Sequence, residues 1–237
     1  VHLYNNNVPV PKLYALDSIM YEFHGKPAHS AGNPWDGVNA LNAGQLMFHA
    51  IDMLRQHVRP DVRMHGIFRN GGTAPNVVPD EVALEIYVRS TDRPYLNEIL
   101  KKIENCAQAG CLATGATLSR YPTAAPYNNL KINKTGNDAL FEVYEELNLK
   151  LPNEKMELMF GSSDIGNVSF RCPAFHPCLK LTPENIEIHS REFAEYVIRD
   201  EGKEMLKVGA KIIAFHIAKL FSSEDKVRAM KADFLSE

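Results

Sequence analysis

The segment that most constrains the fold of this chain is EVALEIYVRS, residues 81–90, in which apolar and polar side chains alternate. The apolar positions of one face are Val82, Leu84, Ile86 and Val88. Glu85 and Arg89 fall on the opposite face. Such alternation is typical of a strand in an antiparallel sheet that buries one face and wets the other. We therefore expect a sheet with one layer of helices behind it.

The surrounding segments complete a regular order of strands and helices. Strands are predicted at 18–24, 62–69, 81–90 and 116–121, with one helix between the first two and another at roughly 93–113. We expect Asn33 to cap the first helix, Pro34 to lie in its first turn and Pro60 to stop it. The order β-α-β-β-α-β is that of the ferredoxin-like unit, here predicted at residues 17–122.

The rest of the chain alternates between helical and strand patterns. Helices are predicted near 137–149, 191–200 and 202–221, and strands at MELMF (156–160) and around FHPCLKL (175–181). Isolated elements of this kind need a sheet to join. We therefore treat 1–16 and 123–237 as separate parts of α/β material on either side of the ferredoxin-like unit. The opening residues contain no initiator Met, and we expect them to continue from upstream sequence.

Composition narrows the function classes. The formal net charge of −3 gives no basic field for nucleic acid, and no apolar run is long enough to cross a bilayer. The four cysteines show no C-x-x-C spacing and follow no secretory leader, which favours free thiols in a reducing compartment. We expect a cytoplasmic protein with small molecules or proteins as partners.

One histidine lies in a loop rich in turn formers. In GKPAHSAGNPWDGVNAL (25–41), His29 precedes a predicted helix, and a donor imidazole there could hold a carbonyl oxygen as it gains charge. The alternative is a loop histidine that is hydrogen-bonded to local backbone.

Other polar residues are candidates for binding. In GSSDIG (161–166), Asp164 and the small residues before it could bind a substrate carboxylate, or Asp164 could simply cap a helix. His189 ends an alternating segment and could be a metal ligand or a structural histidine. Arg89 could bind a carboxylate or form a surface ion pair with Glu85 or a neighbouring residue. Asn76 could donate to a ligand or favour a turn.

Four motifs in this order resemble the second half of the di-zinc amidohydrolases of the aminoacylase and carboxypeptidase type. The motifs are FHGKPAHSAGNPWDGVNAL, APNVVPDEVALEIYVRS, GSSDIGNVS and IEIHSREF. The subgroup with the greatest resemblance contains p-aminobenzoyl-glutamate hydrolase and Xaa-Arg dipeptidase. The resemblance implies that residues 17–122 are a lid and dimerisation domain, and that 1–16 and 123–237 belong to a zinc-peptidase-like catalytic domain.

The resemblance also implies roles for individual residues. His29 would polarise the scissile carbonyl, and Asn76 and Arg89 would hold the terminal carboxylate of the substrate. The pocket would be lined by Gly161, Ser162, Ser163 and Asp164. The metal ligands would be His189 and, with a looser motif match, His2.

The expected protein is a homodimeric amidohydrolase or dipeptidase that uses two zinc ions, with Mn, Co or Ni as other possible metals. The glutamate pair and remaining ligand motifs of such enzymes do not occur in this sequence, so we expect their upstream half to lie outside it. The competing hypothesis is a non-catalytic binding or dimerisation module that keeps the lid fold.

Overall fold

The computed structural model describes residues 1–152, 159–184 and 186–236. The strands are β1 (His2–Tyr4), β2 (Lys12–Leu13), β3 (Ala15–His24), β4 (Arg63–Asn70), β5 (Glu81–Ser90), β6 (Thr117–Pro122), β7 (Met159–Phe160) and β8 (Cys178–Lys180). The helices are α1 (Ala40–Leu54), α2 (Arg93–Thr114), α3 (Lys134–Glu146), α4 (Ile165–Ser169), α5 (Arg191–Ile198), α6 (Asp200–Phe221) and α7 (Glu224–Leu235). Two compact units result: the inserted unit, Tyr14–Asn129, and the flanking unit, formed by Val1–Leu13 with Leu130–Glu237.

The inserted unit is built on an antiparallel sheet with the strand order β4-β5-β3-β6. β3 pairs with β5 along its full length, with Ile19 opposite Ile86. The second and fourth strands of the unit take the outer positions, which is the ferredoxin-like topology predicted from the sequence. The expected α/β fold is therefore confirmed for this unit.

The core of the inserted unit lies between the sheet and the two helices. The apolar face of β5 is buried against a stripe of α2 that includes Leu96, Ile99 and Ile103. At Gly110 the two helices approach closely, because a Cβ there would lie 2.4 Å from the carbonyl oxygen of Ala43. The helical pattern thus predicted the length of α2.

The start of α1 differs from the prediction. Asn39 is the cap, since its side chain accepts hydrogen bonds from the backbone of Leu41 and Asn42, and the helix begins at Ala40 rather than near Asn33. Residues Pro34–Asp36 instead form a separate single turn of 3-10 helix. The reason is a tertiary pairing, because Val38 is extended and hydrogen-bonded to Lys26.

The flanking unit has two small parallel sheets, β1 with β8 and β2 with β7. Its buried apolar residues form two small clusters, and Tyr144 donates a hydrogen bond of 2.7 Å from its hydroxyl to the carbonyl of Cys178. The first three residues of the predicted strand MELMF (156–160) lie outside the described residues. The last two, Met159–Phe160, form β7.

Two further elements of the flanking unit correct the predictions. The GSSDIGNVS segment, for which the sequence predicted no helix, contains α4, and a further helix, α7, follows α6. Asp233 of α7 accepts hydrogen bonds from the backbone N–H and hydroxyl of Thr135, at 2.7 and 2.6 Å. All four cysteines are free thiols, as expected. Among the described helices, none combines the length and apolarity that a membrane span requires.

Candidate functional site

The His29 loop, residues 25–38, is closed at its base by backbone pairing. Lys26 and Val38 exchange two N–H to carbonyl hydrogen bonds of 2.9 Å. Gly25 permits this approach, since a Cβ there would lie 2.1 Å from the carbonyl oxygen of Val38. The loop therefore projects from the end of the sheet as a closed, hydrogen-bonded segment.

The imidazole of His29 is fixed by its own loop. Its Nδ1 accepts hydrogen bonds from the backbone N–H of Ala31 at 3.2 Å and of Gly32 at 3.0 Å. Because Nδ1 is an acceptor, the proton of the neutral ring lies on Nε2. The residue is exposed, so this Nε2–H can donate to an oxygen of a bound molecule. The local backbone bonds and the donor role are thus compatible.

Asn76 lies at the same end of the inserted unit. Its carbonyl accepts a hydrogen bond of 3.0 Å from Ser30, and His29 forms an isolated antiparallel bridge with Val77. Next to this pairing is a cavity of about 480 Å³, lined by residues that include Ser30, Gly72 and Val77. The structure therefore brings His29 and Asn76 together beside a cavity.

Arg89 lies at the opposite end of β5. Glu81 pairs with His24 and Arg89 with Leu16, eight residues further along the strand. At about 3.4 Å per residue this separation is roughly 27 Å, which exceeds the length of a dipeptide. Arg89 lines its own cavity of about 320 Å³. One small substrate cannot contact both Asn76 and Arg89 of the same chain.

Glu85, which the sequence suggested as one possible partner of Arg89, forms an ion pair with Arg69. Nε of Arg69 donates to Oε2 of Glu85 at 2.7 Å, and the hydroxyl of Thr123 donates to Oε1 at 3.0 Å. The hydrogen bonds from Arg69 are the main reason that the pKa of Glu85 is lowered. This carboxylate is buried and partnered, so it is not a candidate proton shuttle.

In the flanking unit, parallel pairing brings two histidines together. His2 donates its backbone N–H to the carbonyl of Pro177, and the rings of His2 and His176 stack with centroids 5.6 Å apart. Partial burial is the main reason that the pKa of His2 is lowered, and nearby His189 lowers it further. Sequence reasoning missed His176 as a site residue, although it lies in the segment FHPCLKL (175–181) for which a strand was predicted.

His189 has a backbone conformation that is rare for its residue type. Its φ of 66° lies in the left-handed region, where non-glycine residues are uncommon and often functional. Ser190 follows and caps α5 by accepting a hydrogen bond of 3.0 Å from Phe193. The start of α5 thus fixes the position from which the exposed His189 side chain leaves the backbone.

The glycine-serine segment, residues 161–166, lies near His176. Asp164 directly precedes α4, but its side chain makes no capping hydrogen bond, so the helix-cap interpretation is not borne out. Ser163 donates to Asp164 Oδ1 at 3.3 Å. Asp164 is also near enough to His176 to raise its pKa, against the stronger lowering by burial.

These side chains carry suitable zinc donors, imidazole nitrogen and carboxylate oxygen. In the part of the chain that the structure describes, however, no group of three or more His, Cys, Asp or Glu is placed to hold a metal ion. The residues present therefore do not form a complete metal site.

Comparisons with known proteins agree with this architecture. Residues 15–114 match the M20_dimer family, described as "Peptidase dimerisation domain". The chain is 36% identical to mouse (Mus musculus) Xaa-Arg dipeptidase over an alignment of 183 residues, which covers 76% of this chain and 42% of the relative. It is 31% identical to human (Homo sapiens) Xaa-Arg dipeptidase over an alignment of 222 residues, which covers 93% of this chain and 51% of the relative.

A solved structure also shares the fold. The aminobenzoyl-glutamate utilization protein from Klebsiella pneumoniae superimposes with a TM-score of 0.58 at 18% identity, over 72% of this chain and 45% of that chain. The chain spans about half the length of the curated relatives it matches.

Proposed function

We propose that this chain, which belongs to the M20-type peptidases, supplies the lid and part of the catalytic domain of an amidohydrolase or dipeptidase. The substrate class is an amide, such as a dipeptide, in which the scissile bond lies next to a free carboxylate. The relatives named Xaa-Arg dipeptidase support this class. The lid corresponds to residues 17–122, and the catalytic parts to 1–16 and 123–237.

The geometry of His29 carries the proposal. With Nδ1 held by two backbone N–H groups, Nε2–H is oriented as a donor before any ligand arrives. A carbonyl oxygen that accepts this hydrogen bond gains negative charge when the amide carbon is attacked, and the bond strengthens as it does so. His29 then stabilises the transition state more than the substrate, which is the requirement for catalysis.

The other site residues have binding roles in the proposal. Asn76 binds the substrate carboxylate beside His29, while Arg89 is the candidate for a carboxylate at the far end of the sheet. In the flanking unit, the residues proposed to line a substrate pocket are Gly161, Ser162, Ser163 and Asp164.

His189 and His2 are the proposed imidazole ligands of a divalent metal, zinc first, which would polarise the amide and activate a water. The described residues complete no metal site. The hydrogen-bonding roles given to His29 and Asn76 do not depend on the ion.

We also propose that the protein is a cytoplasmic homodimer that pairs through its lid. β4 is an edge strand, and its side chains Ile67 and Phe68 are exposed large apolar groups. An uncovered apolar edge strand favours association with another chain. Sedimentation of the wild type and of Ile67→Lys tests this pairing, and the variant should dissociate. A monomeric wild type would contradict it.

The decisive experiment compares histidine variants in one assay. Dipeptide hydrolysis in the presence of zinc should fall about 10²- to 10³-fold in His29→Ala, because one oxyanion donor is lost. His29→Gln, which keeps an N–H donor, should recover part of the activity. His49→Ala, an exposed histidine of α1, is the matched control and should stay active. Equal losses of turnover and zinc content in His29→Ala would contradict the assigned role.

The second candidate function is a non-catalytic binding or dimerisation module. The complete core of the inserted unit favours it, because this unit buries its own apolar face. Intact mass and zinc content, read on the same sample, separate the two candidates. About two zinc ions on a chain heavier than 26.6 kDa support the hydrolase. A metal-free chain of that mass, unchanged in metal content by His189→Ala, supports the module.

A further inference from the structure

The His29 loop carries an unusually exposed aromatic side chain. Trp35 is the one tryptophan in the sequence, and 78% of it is exposed. Single exposed apolar residues are ordinary on protein surfaces, but tryptophan is largely buried on average. Its position in the molecule distinguishes it from the other exposed apolar residues.

Trp35 is held on the same hydrogen-bonded turn as His29. The carbonyl of His29 accepts hydrogen bonds from Gly32 and Asn33, at 3.2 and 3.1 Å. The carbonyl of Asn33 then accepts from the backbone of Asp36 at 3.1 Å, and the Asn33 side chain donates to Asp36 Oδ2 at 3.0 Å. Consecutive hydrogen-bonded turns thus join the backbone of His29 to the backbone of the Trp35–Asp36 pair.

The spacing suits a dipeptide. His29 and Trp35 are six residues apart, and the turns between them keep their separation below the roughly 20–22 Å of a fully extended segment. An extended residue spans about 3.5 Å, and a long side chain adds a similar length again. A ligand with its carbonyl at His29 can therefore place a neighbouring side chain at Trp35.

The chemistry of this pair favours a cation. The face of an indole ring attracts positive groups, guanidinium in particular. Asp36 adds a carboxylate beside it, and the other charged residue of the loop besides His29 is Lys26, in the pairing at the base. The tip of the loop therefore combines an aromatic face with negative charge.

We propose that Trp35 and Asp36 form a specificity site for a cationic, arginine-like side chain of the substrate, next to the carbonyl that His29 binds. This rests on the proposed function and adds residues that select the substrate. Both residues act by binding and take no part in the bond-breaking step.

The single tryptophan makes the test direct, because all tryptophan fluorescence comes from Trp35. Glycyl-arginine and glycyl-citrulline, nearly identical in shape but different in charge, are titrated into the chain. We expect a saturable change in emission with glycyl-arginine and at least about fivefold weaker binding of glycyl-citrulline. Asp36→Asn should weaken glycyl-arginine about threefold and leave glycyl-citrulline unchanged. Met53→Ala, 74% exposed on α1, is the control and should bind both as the wild type does.

An emission that responds equally to both dipeptides, or to neither, overturns the specificity site. Hydrolysis is measured separately with the same two compounds. Where neither dipeptide is hydrolysed in the presence of zinc but Trp35 still distinguishes them, the proposed function fails and the recognition site stands. Where both are hydrolysed, Trp35→Ala should reduce the preference for arginine through KM, and Trp35→Tyr, which keeps an aromatic face, should restore part of it.

Discussion

The two units of this chain bury their apolar residues in different ways. The inserted unit buries one continuous core between four strands and two helices. The flanking unit has two-stranded sheets, smaller clusters and helices with large apolar groups in solvent, including Ile198, Leu206 and Phe221. The first unit has what an independent domain needs, whereas the second divides its buried apolar residues between separate small clusters. Changes that separate the units in stability test this comparison.

The largest expected difference comes from the same substitution in each unit. Leu84→Ala leaves a cavity in the core of the inserted unit and should cost about 3–5 kcal/mol. Leu206→Ala removes a side chain that is 76% exposed and should change stability by less than about 0.5 kcal/mol. Peptide-resolved hydrogen exchange assigns each loss to its unit. Similar costs for both variants would refute the contrast.

The attachment of α7 should show a smaller effect. Asp233→Asn replaces the carboxylate that accepts two hydrogen bonds from Thr135 and should cost about 1–2 kcal/mol, confined to the flanking unit. These bonds lower the pKa of Asp233, so its contribution is present above the unfolded pKa and is lost as pH falls through the folded one. Lys231→Ala, an exposed residue of α7, serves as the control. An unchanged exchange rate in the α7 peptides of Asp233→Asn would disagree with this role.

Mild acid should weaken the flanking unit through His216. Its Nε2 donates to the carbonyl of Gly136 at 2.8 Å, and burial lowers its pKa despite that bond. As pH falls below about 6.5 the unfolded chain binds its proton first, so the free energy of unfolding decreases. The denaturant midpoint of the flanking unit should therefore drop between pH 7 and pH 5, and less so in His216→Asn. An unchanged pH slope in that variant would show that other groups cause the drop.

The smallest effect is expected for an exposed ion pair. Arg228 donates to Asp225 at 2.9 Å, one helical turn apart on α7. Pairs of this kind contribute about 0.2–0.5 kcal/mol. Arg228→Gln should therefore change the midpoint only slightly, and less still at high salt. A larger loss would mean that α7 depends on its surface charges more than on Asp233.

The sequence predicted best where the pattern was long and local. The helix expected at roughly 93–113 is observed at Arg93–Thr114, because its apolar stripe repeats over many turns. The predicted start of α1 was wrong because Asn33 and Asn39 are both good helix caps, and the pairing of Lys26 with Val38 decides between them. α7 was missed because its contact between Asp233 and Thr135 joins distant parts of the chain.

The candidate site follows the same rule. His29 and Asn76 were singled out from a loop pattern, and the structure brings them to one end of the sheet. The distance between Asn76 and Arg89 depends on strand direction and length, which the motif alone does not give. His176 could be found only through the parallel pairing of β1 with β8, between segments at opposite ends of the sequence.

The two boundaries of the inserted unit lie side by side. Leu16 and Tyr127 exchange backbone hydrogen bonds of 3.0 and 2.9 Å, and Leu130 donates to the carbonyl of Leu13 at 3.4 Å. Chain ends that already meet add little loop-closure entropy to the fold that surrounds them. Replacing the segment between residues 13 and 130 by another domain would thus leave the surrounding backbone in place. Such a position tolerates replacement of the whole inserted unit, so that the same surrounding fold can carry a different inserted domain.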